Sequence, residues 1–164
     1  MSEALETIPK TDKVATGVTD VPVIVDGLVE ALADTYRLLF KSHAYHWNVE
    51  GPLFHSIHLL TEAQYADLFT AADDLAERIR ALGKLAPSKW SDITQASCVK
   101  DLPKLPSAQA MVTSLADDHE AVAKRMHAVI KKAESGNDPV TADLLTGRCA
   151  FHEKAAWMLR STAK

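Results

Sequence analysis

Four side chains able to bind metal, His58, Glu62, Asp73 and Glu77, stand in mirror order along one stretch of chain. Positions 58 and 77 share a midpoint with 62 and 73, and no Pro or Gly interrupts residues 58–77. On a helix turning about 100° per residue, the four fall within an arc of roughly 100°, a single acidic stripe. They cannot share one ion within one chain. A rise of about 1.5 Å per residue separates His58 from Asp73 by about 22 Å, whereas metal–ligand bonds are about 2 Å long. A second copy of the helix, antiparallel about a two-fold axis near residues 67 and 68, would set His58 beside the partner's Glu77 and Glu62 beside the partner's Asp73. The stripe predicts a dimer with two symmetry-related metal sites.

Carboxylates four residues apart are also common on solvated helix faces, and spacing alone leaves that alternative open. Against it, the same face presents Leu59, Ala66 and Phe69, while a second face about 120° away carries Leu68, Ala72, Leu75, Ile79 and Leu82. Apolar residues on two sides predict that both sides are buried. Ionised carboxylates in a buried interface need a positive partner, and a divalent cation supplies one.

The elements that must position these residues are helical. Residues 1–20 are polar and read as a flexible tail, leaving 21–164 as one domain. A first helix is expected over 22–49, because Val25, Leu28, Val29, Leu32, Tyr36, Leu39 and Phe40 recur at helical spacing. Gly51-Pro52 ends it, and a second helix follows over 53–82, stopping at Gly83. Residues 84–106 contain Pro87, Pro103 and Pro106 and form a long connection with a short helix near 91–95. Ser107 caps a third helix that ends around Ser135-Gly136-Asn137, and a fourth begins at Asp138-Pro139. Two helical hairpins joined by one crossover make an all-α, ferritin-like four-helix bundle, with a short extra helix in the crossover.

Composition narrows the function classes. The 164 residues are 47% hydrophobic and 24% charged with net charge −4, which suits one compact domain and gives no global drive towards nucleic acid or an anionic membrane. Cys98 and Cys149 have no CxxC companion, so reduced thiols in a cytoplasm are expected. Neither a signal peptide nor a membrane span is expected, since the run at residues 21–25 is short and contains Pro22. Ferritin-like bundles usually hold iron inside the bundle with Glu-x-x-His pairs, and this sequence contains no such motif. The site is therefore expected at an interface. His46 is a further candidate ligand on the flank of the first helix's apolar stripe, whereas His43 lies at its centre and His55 reads as structural or exposed.

The run His46-Trp47-Asn48-Val49-Glu50-Gly51-Pro52-Leu53-Phe54, followed by His58, Glu62 and Asp73-Asp74-Leu75-Ala76-Glu77-Arg78, resembles the signature of the Dps family of mini-ferritins. Asp143-Leu-Leu-Thr-Gly-Arg148 and His152-Glu153-Lys154 resemble that family's last helix. The resemblance implies a hollow homododecamer that oxidises Fe(II), with hydrogen peroxide as preferred oxidant, and stores ferric mineral. His46 and His58 match ligands from one subunit, and Asp73 and Glu77 match ligands from its dimer partner. Glu62 stands where many members have Asp, so it would bridge a second iron or reach the first through water. Trp47 is a candidate trap for stray oxidising equivalents, or a packed aromatic. Asp138 and Asp143, with Asp117, Asp118 and Glu120 behind them, are candidates for an acidic iron pore, although Asp138 is equally an ordinary helix-start acid. DNA-binding members carry a Lys-rich tail, but here Lys10 and Lys13 face Glu3, Glu6 and Asp12. Weak or absent DNA binding follows, because phosphate neutralisation supplies the non-specific affinity. The alternative class is a nucleoid-associated, DNA-packing shell with little ferroxidase activity.

Overall fold

A computed structural model describes residues 7–164, so the first six residues of the expected tail, including Glu3 and Glu6, lie outside the described residues. The described residues form five helices: α1 (Val21–Asn48), α2 (Phe54–Ala81), α3 (Trp90–Ala96), α4 (Ala108–Ser135) and α5 (Pro139–Thr162). The expected all-α, ferritin-like bundle is the observed one, with element ends within about a residue of those expected. Local chemistry explains the ends. Ser107 Oγ accepts the Ala110 N–H at 3.3 Å, and the Asp138 carboxylate accepts the Thr141 N–H at 2.9 Å ahead of Pro139. Gly83 closes α2 at φ 75°, a left-handed conformation, and its carbonyl accepts the Asp12 N–H at 2.9 Å. A Cβ there would lie 2.3 Å from the Asp12 carbonyl oxygen, so glycine is required for space as well.

Helices α1 and α2 pair as one hairpin and α4 and α5 as the other. The Thr19 N–H donates to the Gly136 carbonyl at 2.8 Å, which places the start of α1 at the end of α4 and makes that pair antiparallel. Backbones approach closely there: a Cβ on Gly27 would meet Val129 Cγ1 at 2.6 Å. Residues 7–20 carry no regular structure and are bonded to this end through Asp12 and Thr19.

The crossover returns along the bundle with α3 packed on α1, held by one buried acid. Asp34 is fully buried and accepts from Ser97 Oγ at 2.8 Å, the Cys98 N–H at 2.7 Å and Arg125 Nη1 at 3.2 Å. Arg125 also donates to the Ala96 carbonyl and pairs with Glu30. Burial pushes the Asp34 pKa up, and these bonds only partly offset the effect.

Leu28, Leu32, Leu38, Leu68, Leu75, Ile79, Leu115, Met126 and Leu145 fill the core. The expected inner face of α2 is buried from Leu68 to Leu82. Its other apolar face differs from expectation within a single chain: Leu59 is 47% and Phe69 71% exposed.

Between α4 and α5 the interior holds a polar pair. His119 and His152, both fully buried, share one hydrogen bond between their Nδ1 atoms at 2.8 Å, and each Nε2 is enclosed without a partner. Burial lowers both pKa values, with the Arg148 charge adding to it and His119 also depressing His152; His119 falls to about 3. Both rings are therefore neutral when folded, and unfolding returns them to their ordinary value near 6.5. Protons then favour the unfolded chain, so stability is fully present above pH 6.5 and declines as pH falls towards 3. The slope reaches about 1.4 kcal/mol per pH unit for each ring. Urea titrations at pH 7, 6 and 5 test this. The expected midpoints fall with pH and fall less in His119→Leu; equal slopes for the two proteins would contradict the assignment.

Candidate metal centre

The last turn of α1 and the first of α2 meet across a tight corner at residues 49–53. Gly51 takes φ 102° there, and its carbonyl accepts the Phe54 N–H at 3.0 Å, which turns the chain back on itself. The corner lays His58 on His46, with ring centroids 3.6 Å apart and planes 19° from parallel. Each ring bonds to the other's backbone: His46 Nδ1 donates to the His58 carbonyl at 2.9 Å, and His58 Nδ1 donates to the His46 carbonyl at 2.9 Å. A carbonyl oxygen only accepts, so each Nδ1 carries a proton, and in the neutral ring it is Nε2 that keeps the lone pair. Neither Nε2 is among the enclosed, unpartnered atoms of the interior. This is the tautomer a metal ligand needs.

Aromatic rings wall the pair. Tyr65 stands edge-on to His46 at 5.2 Å and lies 3.9 Å from His43, which in turn stacks on Trp47 at 4.9 Å; Phe54 covers His58 at 5.0 Å. Burial, with a smaller contribution from His46, lowers the His43 pKa.

The carboxylates lie elsewhere. Glu62, Asp73 and Glu77 are exposed along α2, and none takes part in an ion pair among the described residues. Among those residues, no three His, Cys, Asp or Glu side chains gather closely enough in one chain to hold a metal ion. One subunit thus unites His46 with His58 and leaves the acids separate. Trp47 is exposed, as are His55, Lys10 and Lys13.

The pore candidates divide. Asp138 is fully buried, accepting from Arg78 Nη2 at 2.7 Å and from the backbone and hydroxyl of Thr141. Its carboxylate is committed to capping α5 and tying α2 to it, a correction to its candidacy for a channel. Burial raises its pKa, but the bonds from Arg78 and Thr141 outweigh burial and hold it below the ordinary carboxylate value. Asp117 and Glu120 grip Arg160, and Asp118 pairs with Lys41. Asp143 alone of the five is exposed without an ion pair among the described residues.

Spacing misses Tyr65. It stands about 20° outside the acidic stripe, two turns beyond His58, and that offset was the available signal. The buried His119–His152 pair is missed as well, because both residues sit in apolar rows on different helices.

A family model for the ferritin-like domain matches residues 25–164. The DNA protection during starvation protein 2 of Bacillus anthracis is 31% identical over 138 residues, covering 84% of this chain and 94% of that one. The chain belongs to the Dps family of ferritin-like proteins. This Dps-family chain is also 39% identical over 140 residues to a low temperature-induced protein of Nostoc sp., covering 84% of this chain and 78% of the relative. Its fold is similar to the crystal structure of Dps from Staphylococcus aureus, with TM-score 0.85, 31% identity, and coverage of 90% of this chain and 98% of that one.

Asp138→Ala strands Arg78 and removes a cap, so it is expected to cost about 3 kcal/mol in urea unfolding, whereas Asp143→Ala at an exposed position costs about 0.5 kcal/mol or less. Equal, small effects would return Asp138 to the list of free acids.

Proposed function

We propose that this Dps-family protein is an iron-sequestering ferroxidase whose substrate Fe(II) is held between subunits, by His46 and His58 of one and by the partner's Asp73 and Glu77. The observation that carries this is the reciprocal His46–His58 pair, whose Nδ1 bonds leave Nε2 as the uncommitted nitrogen of each ring, with no third His, Cys, Asp or Glu gathered beside them among the described residues. Unpaired acids on the same helix supply the missing oxygen donors and negative charge. Carboxylates and imidazoles together suit Fe(II), and also zinc.

In the reaction, two Fe(II) ions each give one electron to a hydrogen peroxide molecule, whose O–O bond breaks to leave two hydroxide ions. No hydroxyl radical is released. The Nδ1–carbonyl bonds keep both imidazoles aimed, and the ring wall of Tyr65 and Phe54 limits solvent around them. In this reading Glu62, exposed four residues beyond His58, assists with a second iron, and exposed Trp47 absorbs a stray oxidising equivalent. Storage as ferric mineral in a hollow dodecamer within the cytoplasm completes the proposal. No helix among the described residues is long and apolar enough to cross a membrane.

Relatives carry the name DNA protection during starvation protein, and here that protection is assigned to removing Fe(II) and peroxide together. Anaerobic Fe(II) loading followed by peroxide tests the site. His58→Ala and Asp73→Ala should each slow oxidation about tenfold or more, and mixed dimers carrying one change on each subunit should recover one working site in two. Wild-type rates in both variants would sink the interface mechanism. Lys10 and Lys13 are too few to anchor DNA, so no mobility shift is expected at moderate salt. A tight, salt-sensitive complex that survives His46→Ala would favour a DNA-packing shell instead.

A further inference from the structure

Helices α2 and α5 belong to different hairpins and meet along a seam tied by two ion pairs, Arg78 with Asp138 at 2.7 Å and Arg148 with Asp67 at 2.6 Å. Beyond the second pair, towards the start of α2, the seam opens into a groove of about 300 Å³. Its walls are apolar, with Leu60 and Ala63 from α2 and Phe151, Ala155 and Met158 from α5. One polar side chain interrupts them. Gln64 lines the groove at 3% exposed, and neither its Nε2 nor its Oε1 has a hydrogen-bond partner among the described residues. An unpaired buried amide costs the fold stability, and a leucine of similar size would pack at that position without the cost.

The charge around the groove is positive. Lys154 lines it and is exposed, with no ion pair among the described residues. The Arg148 guanidinium lies 4.4 Å from the centroid of the Phe151 ring; Asp67 takes its Nη1, while Nε and Nη2 are enclosed with no partner. Against these two cations stands one acid, Asp67, already committed to Arg148; Glu62 and Glu153, on the same stretches of the two helices, do not line the groove.

We propose that this groove is a binding site for an amphipathic monocarboxylate of modest size, one carboxylate head on a short apolar body such as a medium-chain fatty acid carries. The body lies along Leu60, Phe151, Ala155 and Met158, and the head accepts from Gln64 Nε2 and pairs with Lys154. Arg148, fixed by Asp67 behind the Phe151 ring, adds positive charge from the other side. Small-molecule sites span roughly 300–1,000 Å³, so a groove at the lower end suits a single chain or ring and not a nucleotide. A metal ion is disfavoured here, because the lone acid is spent on an arginine. None of the lining residues is a ligand of the proposed iron site, and the two readings stand or fall separately.

Titration calorimetry of the full chain with sodium octanoate tests this, with octylammonium chloride as the control of opposite charge. One octanoate per subunit is expected, with a Kd of about 1 mM or tighter, and octylammonium at least tenfold weaker. Gln64→Leu separates a binding role from a structural one: it should weaken octanoate about tenfold and at the same time raise the urea midpoint, because it removes an unpaired amide from the interior. Lys154→Ala should weaken octanoate about threefold and leave the midpoint in place. Ala63→Trp, at an exposed position, fills the groove and should abolish saturation; Met158→Asp, also exposed, sets a like charge against the head and reads the same loss independently of how the tryptophan packs. No saturable heat with octanoate, equal affinity for octylammonium, or wild-type affinity in Gln64→Leu, Lys154→Ala or Met158→Asp would overturn the proposal.

Discussion

A straight α-helix fixes the height of every residue it carries, and no side chain is long enough to undo that. Helix α2 runs from Phe54 to Ala81 without a Pro or Gly, so the imidazole end and the carboxylate end of its ligand stripe never meet. The rest of the molecule accommodates this. One face of α2 is spent on the core through Leu68, Leu75 and Ile79, and the opposite face is left outside with its acids unpaired. The corner at residues 49–53 then adds His46 to the histidine end only. Under the proposed function, a subunit built this way would carry two halves of different sites, and two copies would be needed to match them.

Legibility in the sequence followed the same rule. The helix ends were readable because apolar periodicity and side-chain caps act over a few residues, as at Ser107 and Asp138. His58, Glu62, Asp73 and Glu77 were readable together because one helix sets all their angles. His46 was different: periodicity put it only on the flank of the apolar stripe of α1, a candidate and no more, and family resemblance was needed to pair it with His58. Its mutual bonding with His58 arises only when the corner closes. Asp138 shows the limit from the other side. Its local context fits a cap or a channel equally, and the outcome depends on Arg78, 60 residues away in sequence. His119 and His152 gave no sign of each other for the same reason.

Polar groups inside this bundle fall into two kinds. The Asp34–Ser97–Cys98–Arg125 cluster has several bonds and holds the crossover, so its cost of burial is partly offset by its partners. The His119–His152 pair is undersupplied, with one bond between two rings, and it survives by remaining uncharged. On the open face of α2 the balance differs again. Glu62, Asp73 and Glu77 belong to a chain already at net charge −4, and bringing two such faces together crowds like charges. Under the proposed function, a cation bound between them would relieve that repulsion, so association and ion binding would strengthen one another, and each measured alone would understate the pair.

The crossed bonds of His46 and His58 tie each ring to the other's backbone. Neither imidazole can swing without breaking its own bond to that carbonyl and leaving the stack, so the two rings are held in place before anything binds. Immobilising a free side chain on binding costs about 0.5–1.5 kcal/mol. Here that loss of motion falls on folding, and under the proposed function an arriving ion would meet donors that have already stopped moving.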